Sequence, residues 1–531
     1  MKKFIIVAIY LLMGINGMQS QSIPVFKEGE RVAFVGNSIT CGGHYHSYIW
    51  LYYMTHFPNR RIDVFNEGVG GDVAKQMSQR LDKVFEHNPT VVTLSFGMND
   101  TGYMDYTLTE NANIGRKNVE ASCRDYKVIE DTYKKYPKVQ KVLIGSSPYD
   151  ETSCFNKVPF PGKNKLIQDI SDFLKERAHA NRWGYVDFNR PMTEINMREQ
   201  QADSTFTLCG GDRVHPTTDG HLVMAYLFLK AQGLANEPVA DIAIDALTRT
   251  VNRSDNCKID DLVVSSENIS FTYLANSLPY PIDRSHYNNE LHTQADALNV
   301  IPFMDEMNYE GLAVKGLSDG YYVLKIDGKT ITRLTAGDLK RGINLAAYDN
   351  TPQNEQAQEI RRLNEQRWFM EREMREYYWM EYNLMRDKGL LWASDEKAVD
   401  TMLENRRTNP FVNMLKDYWL RFMHKSVRED NENEQLELVE RIYKMNKPQA
   451  LKVELVKALI EGNGMRERFI IFLIGLLGFN SLVKAQQAIY KMAIIGGVYD
   501  TILWADFIHC PEIETVSGLE LIFSTFTTTP V

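Results

Sequence analysis

The chain has 531 residues, of which 44% are hydrophobic and 24% are charged. This length predicts two or three domains, and the composition is typical of globular proteins that bury a substantial core. The net charge of −9 excludes the basic surface that nucleic-acid-binding proteins use, so we expect no nucleic-acid partner.

The N-terminus has the pattern of a secretory signal peptide. Lys2 and Lys3 precede a short apolar run at residues 4–13, and small and polar residues follow up to Gln21. The run is short for a membrane span, and no cysteine follows it closely, so we expect no stable membrane anchor. We predict that residues 1–20 are a signal peptide and that the mature chain is periplasmic or extracellular. The alternative is a buried N-terminal helix.

The cysteines are few and widely spaced, which argues against a disulfide scaffold. They are Cys41, Cys123, Cys154, Cys209, Cys257 and Cys510. An oxidising compartment allows one or two bridges, but the spacing does not determine their pairing. No C-x-x-C pair or His-rich metal spacing is present in the sequence, and we predict no metal and no organic cofactor.

Short apolar segments alternate with helical patterns between about residues 30 and 235. The predicted strands are residues 32–35, 62–65, 90–96, 141–146 and 185–188. Helical patterns lie between them, for example at residues 73–85 and 163–180. This alternation predicts an α/β domain at residues 21–235, with a parallel sheet that helices cover on both faces.

The next region, residues 236–350, has the pattern of a small β-rich accessory module. It contains several short β segments, and Asp327-Gly328 is a hairpin signal because this pair suits a type I′ turn. We interpret residues 342–346 as the end of a strand, and the alternative is a lid loop.

Helices are predicted to dominate residues 351–460. One long helical pattern spans residues 353–388 and is rich in aromatic side chains. These are Trp368, Tyr377, Tyr378, Trp379 and Tyr382. Aromatic residues at helical spacing are typical of helix packing, and a sugar-stacking platform is the alternative interpretation.

The tail, residues 461–531, contains a second segment that resembles a signal peptide. Charged residues at 465–468 precede an apolar run at 469–479, and a small-residue cleavage-like site follows at residues 481–487. Our hypothesis is that residues from about 465 onward are a fused neighbouring reading frame. The alternative is a C-terminal membrane helix, for which the apolar run is short.

Four short motifs carry the candidate chemistry. They are Gly-Asn-Ser-Ile-Thr at residues 36–40, Asn-Glu-Gly-Val-Gly-Gly-Asp at 66–72, Gly-Met-Asn-Asp at 97–100 and Asp-Arg-Val-His-Pro at 212–216. The first three each follow a predicted strand, so we expect them at one edge of the sheet. Each motif alone is typical of an ordinary turn, but together they supply the groups that acyl transfer needs.

Ser38 is the candidate nucleophile, because a serine hydroxyl becomes reactive when a neighbouring base takes its proton. His215 is the candidate base, and Asp212 lies three residues earlier, within reach of the imidazole. The candidate oxyanion donors are the backbone N–H groups of Ser38 and Gly71 and the side-chain amide of Asn99. Gly70 is the alternative to Gly71 if the turn differs by one residue.

With these motifs, residues 30–235 resemble the SGNH (GDSL-type) hydrolase family, in particular its secreted bacterial members. The resemblance implies a three-layer α/β/α sandwich with a flavodoxin-like parallel sheet. It also implies that Ser38, Gly71, Asn99 and His215 take the four family roles, with Asp212 as the triad acid. Asn37 stands where the family usually has Asp, and we expect activity to survive because residue 37 is outside the triad.

The sequence therefore predicts a secreted serine esterase that hydrolyses carboxylic esters through an acyl-enzyme. From the family resemblance we expect a carbohydrate (acetyl) esterase whose substrate is a small-molecule or polysaccharide ester. One alternative is a lipase or phospholipase, which the lack of a long apolar flap near the motifs disfavours. Another is a non-catalytic carbohydrate-binding protein with a retained hydrolase fold, which the completeness of the motifs disfavours.

Overall fold

The computed structural model describes residues 23–102, 112–155, 160–288 and 290–458. The predicted signal peptide at residues 1–20 and the predicted tail at 461–531 lie outside these residues. Within the described part, no helix is both long enough and apolar enough to cross a membrane. The five cysteines in this part are all unpaired.

Five parallel strands form the central sheet, in the order β2-β1-β3-β4-β5. They are β1 (Arg31–Gly36), β2 (Asp63–Gly68), β3 (Val91–Phe96), β4 (Gln140–Gly145) and β5 (Gly184–Asp187). Successive residues of β1 point into two different cores, with Val32 and Phe34 on one face and Ala33 and Val35 on the other. The sheet is therefore covered on both faces, and its strand order is the flavodoxin-like one.

Eight helices accompany this sheet in the described part of the domain. They are α1 (Ser38–Cys41), α2 (Tyr45–His56), α3 (Ala74–Ser78), α4 (Leu81–Glu86), α5 (Ala112–Lys134), α6 (Lys163–Asn181), α7 (Asn189–Glu199) and α8 (Thr218–Ala231). The single helix expected at residues 73–85 is divided into α3 and α4. The chain leaves the helical conformation at Arg80 (φ −126°), whose side chain turns into the core.

Two sheets follow, with strand orders β13-β10-β6-β7 and β12-β11-β14-β9-β8. Their strands are β6 (Ala240–Asp245), β7 (Thr250–Asp255), β8 (Cys257–Val264), β9 (Asn268–Ala275), β10 (Glu310–Lys315), β11 (Tyr321–Ile326), β12 (Lys329–Thr335), β13 (Ile343–Asn344) and β14 (Leu451–Lys457). Short helices lie between them at α9 (Phe303–Glu306) and α10 (Ala336–Arg341), with 3₁₀ turns at Gln294–Asn299 and Leu345–Ala347.

The hairpin predicted at Asp327-Gly328 joins β11 to β12, and both turn residues have positive φ, 49° and 78°. Residues 343–344 form a short strand, in agreement with the interpretation of this segment as a strand end. Strand β14 lies within residues 351–460, for which helices are predicted. Its alternating buried residues Leu451, Val453 and Leu455 carry the period of a strand, and it pairs between β11 and β9.

The helical region begins with a 29-residue helix, α11 (Pro352–Met380), which continues through a π turn at Glu381–Met385 and a 3₁₀ turn at Arg386–Lys388. Three further helices follow, α12 (Glu396–Asn405), α13 (Pro410–Phe422) and α14 (Lys425–Met445). Four of the five aromatic residues singled out above are at most 7% exposed, as helix packing requires: Trp368, Tyr377, Tyr378 and Tyr382. Trp379 is the exception, because it is only partly buried.

Candidate active site

Ser38 lies at the first position of α1, immediately after β1 ends. The side chain of Asn37 caps this helix, since its Oδ1 accepts a hydrogen bond of 3.0 Å from the Ile39 N–H. The turn is tight, because a Cβ on Gly36 would lie 2.1 Å from Thr40 Oγ1. The amide oxygen of Asn37, which carries no charge, therefore caps α1. Ser38 is the first residue of this helix, at the C-terminal edge of the sheet.

The structure brings the three proposed triad residues together. Ser38 Oγ lies 2.8 Å from His215 Nε2, and His215 Nδ1 lies 2.5 Å from Asp212 Oδ2. Ser38 and His215 are 177 positions apart in the chain, so only the tertiary fold makes this contact. The arrangement can transfer a proton from the hydroxyl to the imidazole.

The loop that carries Asp212 and His215 is rigidly held. Asp212 Oδ1 accepts hydrogen bonds from the N–H groups of Val214 (2.9 Å) and His215 (3.0 Å). Arg213 between them is in the left-handed region (φ 65°), and its guanidinium donates to the Asp150 carbonyl. Burial opposes ionisation of Asp212, but the hydrogen bonds from His215 outweigh it and lower the pKa of this carboxyl. The carboxylate thus stays charged opposite the imidazole.

The two candidate glycine donors have different surroundings. Gly71 has φ 79°, a conformation that favours glycine, and a Cβ there would meet no atom within 4 Å. A Cβ on Gly70 would instead lie 3.3 Å from Trp379 Cδ1. Gly71 is thus the more open of the two glycines, and its role as oxyanion donor stays a prediction.

Asn99, the third candidate donor, is anchored beside this turn. Its Nδ2 donates a hydrogen bond of 3.1 Å to the Asp72 carbonyl, which leaves its second amide proton for a substrate. The next residue, Asp100, is buried and accepts from the N–H groups of Ala74 (2.8 Å) and Gly97 (2.9 Å). Asp100 therefore fastens the third motif to the start of α3, which follows the second motif. The sequence reasoning assigned it no role, although it stands within the Gly-Met-Asn-Asp motif.

Helix α11 holds the second motif from the other side. Arg375 Nε donates to the Gly68 carbonyl at 2.9 Å, and its Nη1 lies 3.2 Å from Glu67 Oε2. Glu371 Oε1 accepts from the Asn66 N–H at 2.8 Å. Sequence reasoning missed these residues, because they are about 300 positions away from the motif and no local pattern links them to it.

Within the described part, no group of three or more His, Cys, Asp or Glu side chains is placed to hold a metal ion.

Two segments of the chain match known families. Residues 34–223 match the GDSL-like lipase/acylhydrolase family, and residues 358–447 match the diltiazem deacetylase C-terminal helical domain. The first segment contains all four motifs, and the second begins within α11 and ends just after α14.

The chain is also similar to a solved structure described as a gut microbial diltiazem-metabolizing enzyme. The two are 45% identical, the match covers 83% of this chain and 100% of the other, and the TM-score is 0.80. A second relative is an acetylxylan esterase from Geobacillus stearothermophilus. It is 23% identical over 222 residues, which are 39% of this chain and 94% of that protein.

The fold, the motifs and these similarities define a hydrolase that acts on ester bonds. The chain belongs to the GDSL-like lipase/acylhydrolase family, the SGNH hydrolases that its motifs resemble. The predicted family and the predicted α/β fold with a helical C-terminal region are thereby confirmed. The roles assigned to individual residues stay predictions.

Proposed function

We propose that this protein is a secreted serine esterase that removes acetyl groups from poly- or oligosaccharides through an acyl-enzyme. The observation that carries the proposal is the 2.8 Å contact between Ser38 Oγ and His215 Nε2, with Asp212 behind the imidazole. The periplasmic or extracellular location is part of the proposal and rests on the signal-peptide pattern at residues 1–20.

The reaction follows from the hydrogen bonds of the triad. Asp212 accepts from the Nδ1–H of His215, which leaves Nε2 as the acceptor for the Ser38 proton. Ser38 Oγ then attacks the ester carbonyl, and the oxyanion is stabilised by the Gly71 N–H, the Ser38 N–H and the Asn99 amide. His215 returns the proton to the leaving alcohol. Water, deprotonated by the same Nε2, attacks the acyl-enzyme, releases acetate and regenerates Ser38.

Support for a small acyl group comes from the relatives. The family matched by residues 358–447 is described as a domain of a deacetylase, and the relative from Geobacillus stearothermophilus is named an acetylxylan esterase. Acetate as the acyl group is common to both descriptions. Acetylated polysaccharides are substrates that are available to an enzyme outside the cell. The proposed location therefore favours a carbohydrate as the alcohol portion of the ester.

A second candidate substrate is the acetyl ester of a small organic alcohol. The observation that favours it is the 45% identity to a diltiazem-metabolizing enzyme, whose whole length this chain matches. The two candidates share the triad chemistry and differ only in the alcohol that leaves.

The proposal is tested with the mature full-length protein and its Ser38→Ala variant. We expect p-nitrophenyl acetate to be hydrolysed faster than the butyrate and octanoate esters, and Ser38→Ala to lose at least about 10³-fold in kcat. Acetate release from acetylated xylan and pectin then tests whether the alcohol portion is a carbohydrate.

The control variant is Ser266→Ala, because Ser266 is exposed at the turn between β8 and β9. This variant should match wild type. A Ser38→Ala variant as active as wild type would refute the mechanism.

A further inference from the structure

One face of helix α11 lies along the proposed active site. Arg372, Glu376 and Trp379 are spaced at i, i+4 and i+7, so they share one side of the helix. A Cβ on Gly42 would lie 3.9 Å from Arg372 Nε, and a Cβ on Gly70 would lie 3.3 Å from Trp379 Cδ1. This side of the helix therefore extends from the C-terminal end of α1 to the turn that carries Gly71. We call these three side chains the α11 face.

Trp379 has an aromatic surface and a polar N–H group, and both are partly open to solvent among the described residues. Its indole is partly exposed, whereas its neighbours Tyr378 and Met380 are buried. The indole ring lies 5.7 Å from the ring of Phe411, which is 58% exposed. Within the described residues the indole N–H makes no hydrogen bond, so it is free to donate to a ligand or to water.

Arg372 and Glu376 also have unused hydrogen-bonding capacity. Arg372 Nη1 donates to the Tyr287 hydroxyl at 2.8 Å, but its Nε is buried and has no partner in the part of the chain that the structure describes. Glu376 makes no hydrogen bond to any described residue. Burial raises the pKa of Glu376, and Arg372 and Arg375 act in the opposite direction. The buried Nε–H of Arg372 costs free energy unless a ligand or water satisfies it.

The combination of groups indicates the chemistry of the ligand. A pyranose ring has one flat C–H face that packs on an indole, and its hydroxyl groups both donate and accept hydrogen bonds. A carboxylate and a guanidinium N–H beside the indole match those hydroxyl groups. A fatty chain or a plain arene would leave both polar groups unsatisfied.

We propose that the α11 face binds the sugar ring of the alcohol portion of the substrate, next to the acetyl group that Ser38 attacks. This inference rests on the proposed function and specifies its substrate class. It gives the C-terminal helical region a direct role in specificity, because α11 supplies all three side chains.

The test compares three acetate esters: ethyl acetate, an acetylated xylotriose, and 2-naphthyl acetate, whose ring is not a sugar. We expect Trp379→Ala to lower kcat/KM for the acetylated xylotriose about tenfold or more, mainly through KM, and to leave ethyl acetate within about twofold. Trp379→Phe should recover part of the loss, because a ring remains. Glu376→Gln should lower kcat/KM for the xylotriose ester and not for 2-naphthyl acetate.

Tyr321→Ala is the control, since Tyr321 is an aromatic residue of β11 that is 48% exposed and lies outside α11. It should not change the ratio of the three activities. An equal loss on all esters in Trp379→Ala would mean that Trp379 only supports the Gly70 turn, and would overturn the inference. So would a loss confined to 2-naphthyl acetate. A wild type that hydrolyses no ester, or an active Ser38→Ala, refutes the proposed function itself.

Discussion

Arg80 and Asp72 form an ion pair in the core of the hydrolase domain, with Arg80 Nε 2.7 Å from Asp72 Oδ2 and both side chains only 1% exposed. The same guanidinium donates through Nη2 to the Gly36 carbonyl at 3.0 Å. Gly36 ends the strand that leads to Ser38, and Asp72 follows Gly71. One arginine therefore ties the loop of the proposed nucleophile to the loop of the proposed oxyanion glycine.

Replacement of this arginine by methionine should strongly destabilise the protein. Arg80→Met leaves the Asp72 carboxylate buried without its partner, which typically costs about 3–5 kcal/mol in the free energy of unfolding. Urea denaturation followed by circular dichroism measures this loss. The control is Lys127→Met, which removes the exposed pair between Lys127 and Asp131 and should cost less than about 1 kcal/mol. Equal losses in the two variants would contradict the importance of the buried pair.

Asp212→Asn should impair catalysis without unfolding the protein. The amide keeps the size of the side chain but no longer holds His215 in the tautomer that accepts the Ser38 proton, so we expect kcat to fall by about 10²–10⁴-fold. Steady-state kinetics with p-nitrophenyl acetate measures the effect. The control is Asp261→Asn at an exposed position with φ 54°, a conformation that asparagine tolerates. If Asp212→Asn retains wild-type kcat, Asp212 is not the triad acid.

Asn99→Ala should act on the transition state more than on substrate binding. Loss of one oxyanion donor typically lowers kcat by about 10²–10³-fold, with little change in KM. The control is Asn405→Ala, because Asn405 likewise donates its amide to a backbone carbonyl, that of Thr401, far from the site in sequence. The melting temperature should fall by a similar amount in the two variants, and only Asn99→Ala should lose activity. A rise in KM alone would exclude Asn99 from the oxyanion hole.

Gly68→Ala should displace the helix that carries Ser38. A Cβ at this position would lie 2.2 Å from the backbone nitrogen of Cys41 and 2.6 Å from its Cα, so the end of α1 must move. We expect a loss of about 1–3 kcal/mol in the free energy of unfolding, together with a lower kcat. The control is Gly337→Ala in α10, where the nearest atom is 3.5 Å away and alanine favours the helix. Wild-type activity in Gly68→Ala would show that this contact does not position α1.

Glu310→Gln should make the protein more resistant to alkaline unfolding. Burial raises the pKa of Glu310 to about 7, although hydrogen bonds from the Tyr273 hydroxyl (2.8 Å) and the Gln353 amide (2.9 Å) oppose this. Between the unfolded pKa of a glutamate and about pH 7, the folded state binds more protons than the unfolded state. The free energy of unfolding therefore falls as the pH rises, and the loss is on the order of 3 kcal/mol once Glu310 is fully ionised.

The measurement is the difference in melting temperature between Glu310→Gln and wild type at pH 5 and pH 8.5. Glutamine cannot ionise, so the difference should shift in favour of the variant at the higher pH. The exposed Glu267→Gln between β8 and β9 is the control and should show no such shift. The same difference at both pH values would contradict ionisation of buried Glu310.

Much of the hydrolase fold could be predicted because its signals are local. Each strand of the central sheet is a short apolar run followed by a polar or glycine-rich turn, and parallel strands place such turns at one edge. Ser38, Gly71 and Asn99 could be named as candidates on that basis. Asp212 and His215 are three residues apart, so the sequence alone places their side chains within reach of each other.

Other features could not be predicted, because they depend on which distant elements meet. The helical pattern of residues 353–388 was visible, but not that Arg375 binds the Gly68 carbonyl or that Trp379 lies against Gly70. Strand β14 also carries a period-2 pattern, but its place between β11 and β9 depends on pairing with strands more than 100 residues away.

The sequence by itself determined the class of chemistry, hydrolysis of ester bonds, since the order and spacing of four motifs predict a nucleophile, a base, an acid and oxyanion donors. The tertiary structure alone decided that Ser38 and His215 touch, that Arg80 joins the two loops beside them, and that α11 packs against the second motif. The physical reason is that strand and turn preferences act over a few residues. Burial of charged groups and contacts between helices instead depend on the whole packed domain.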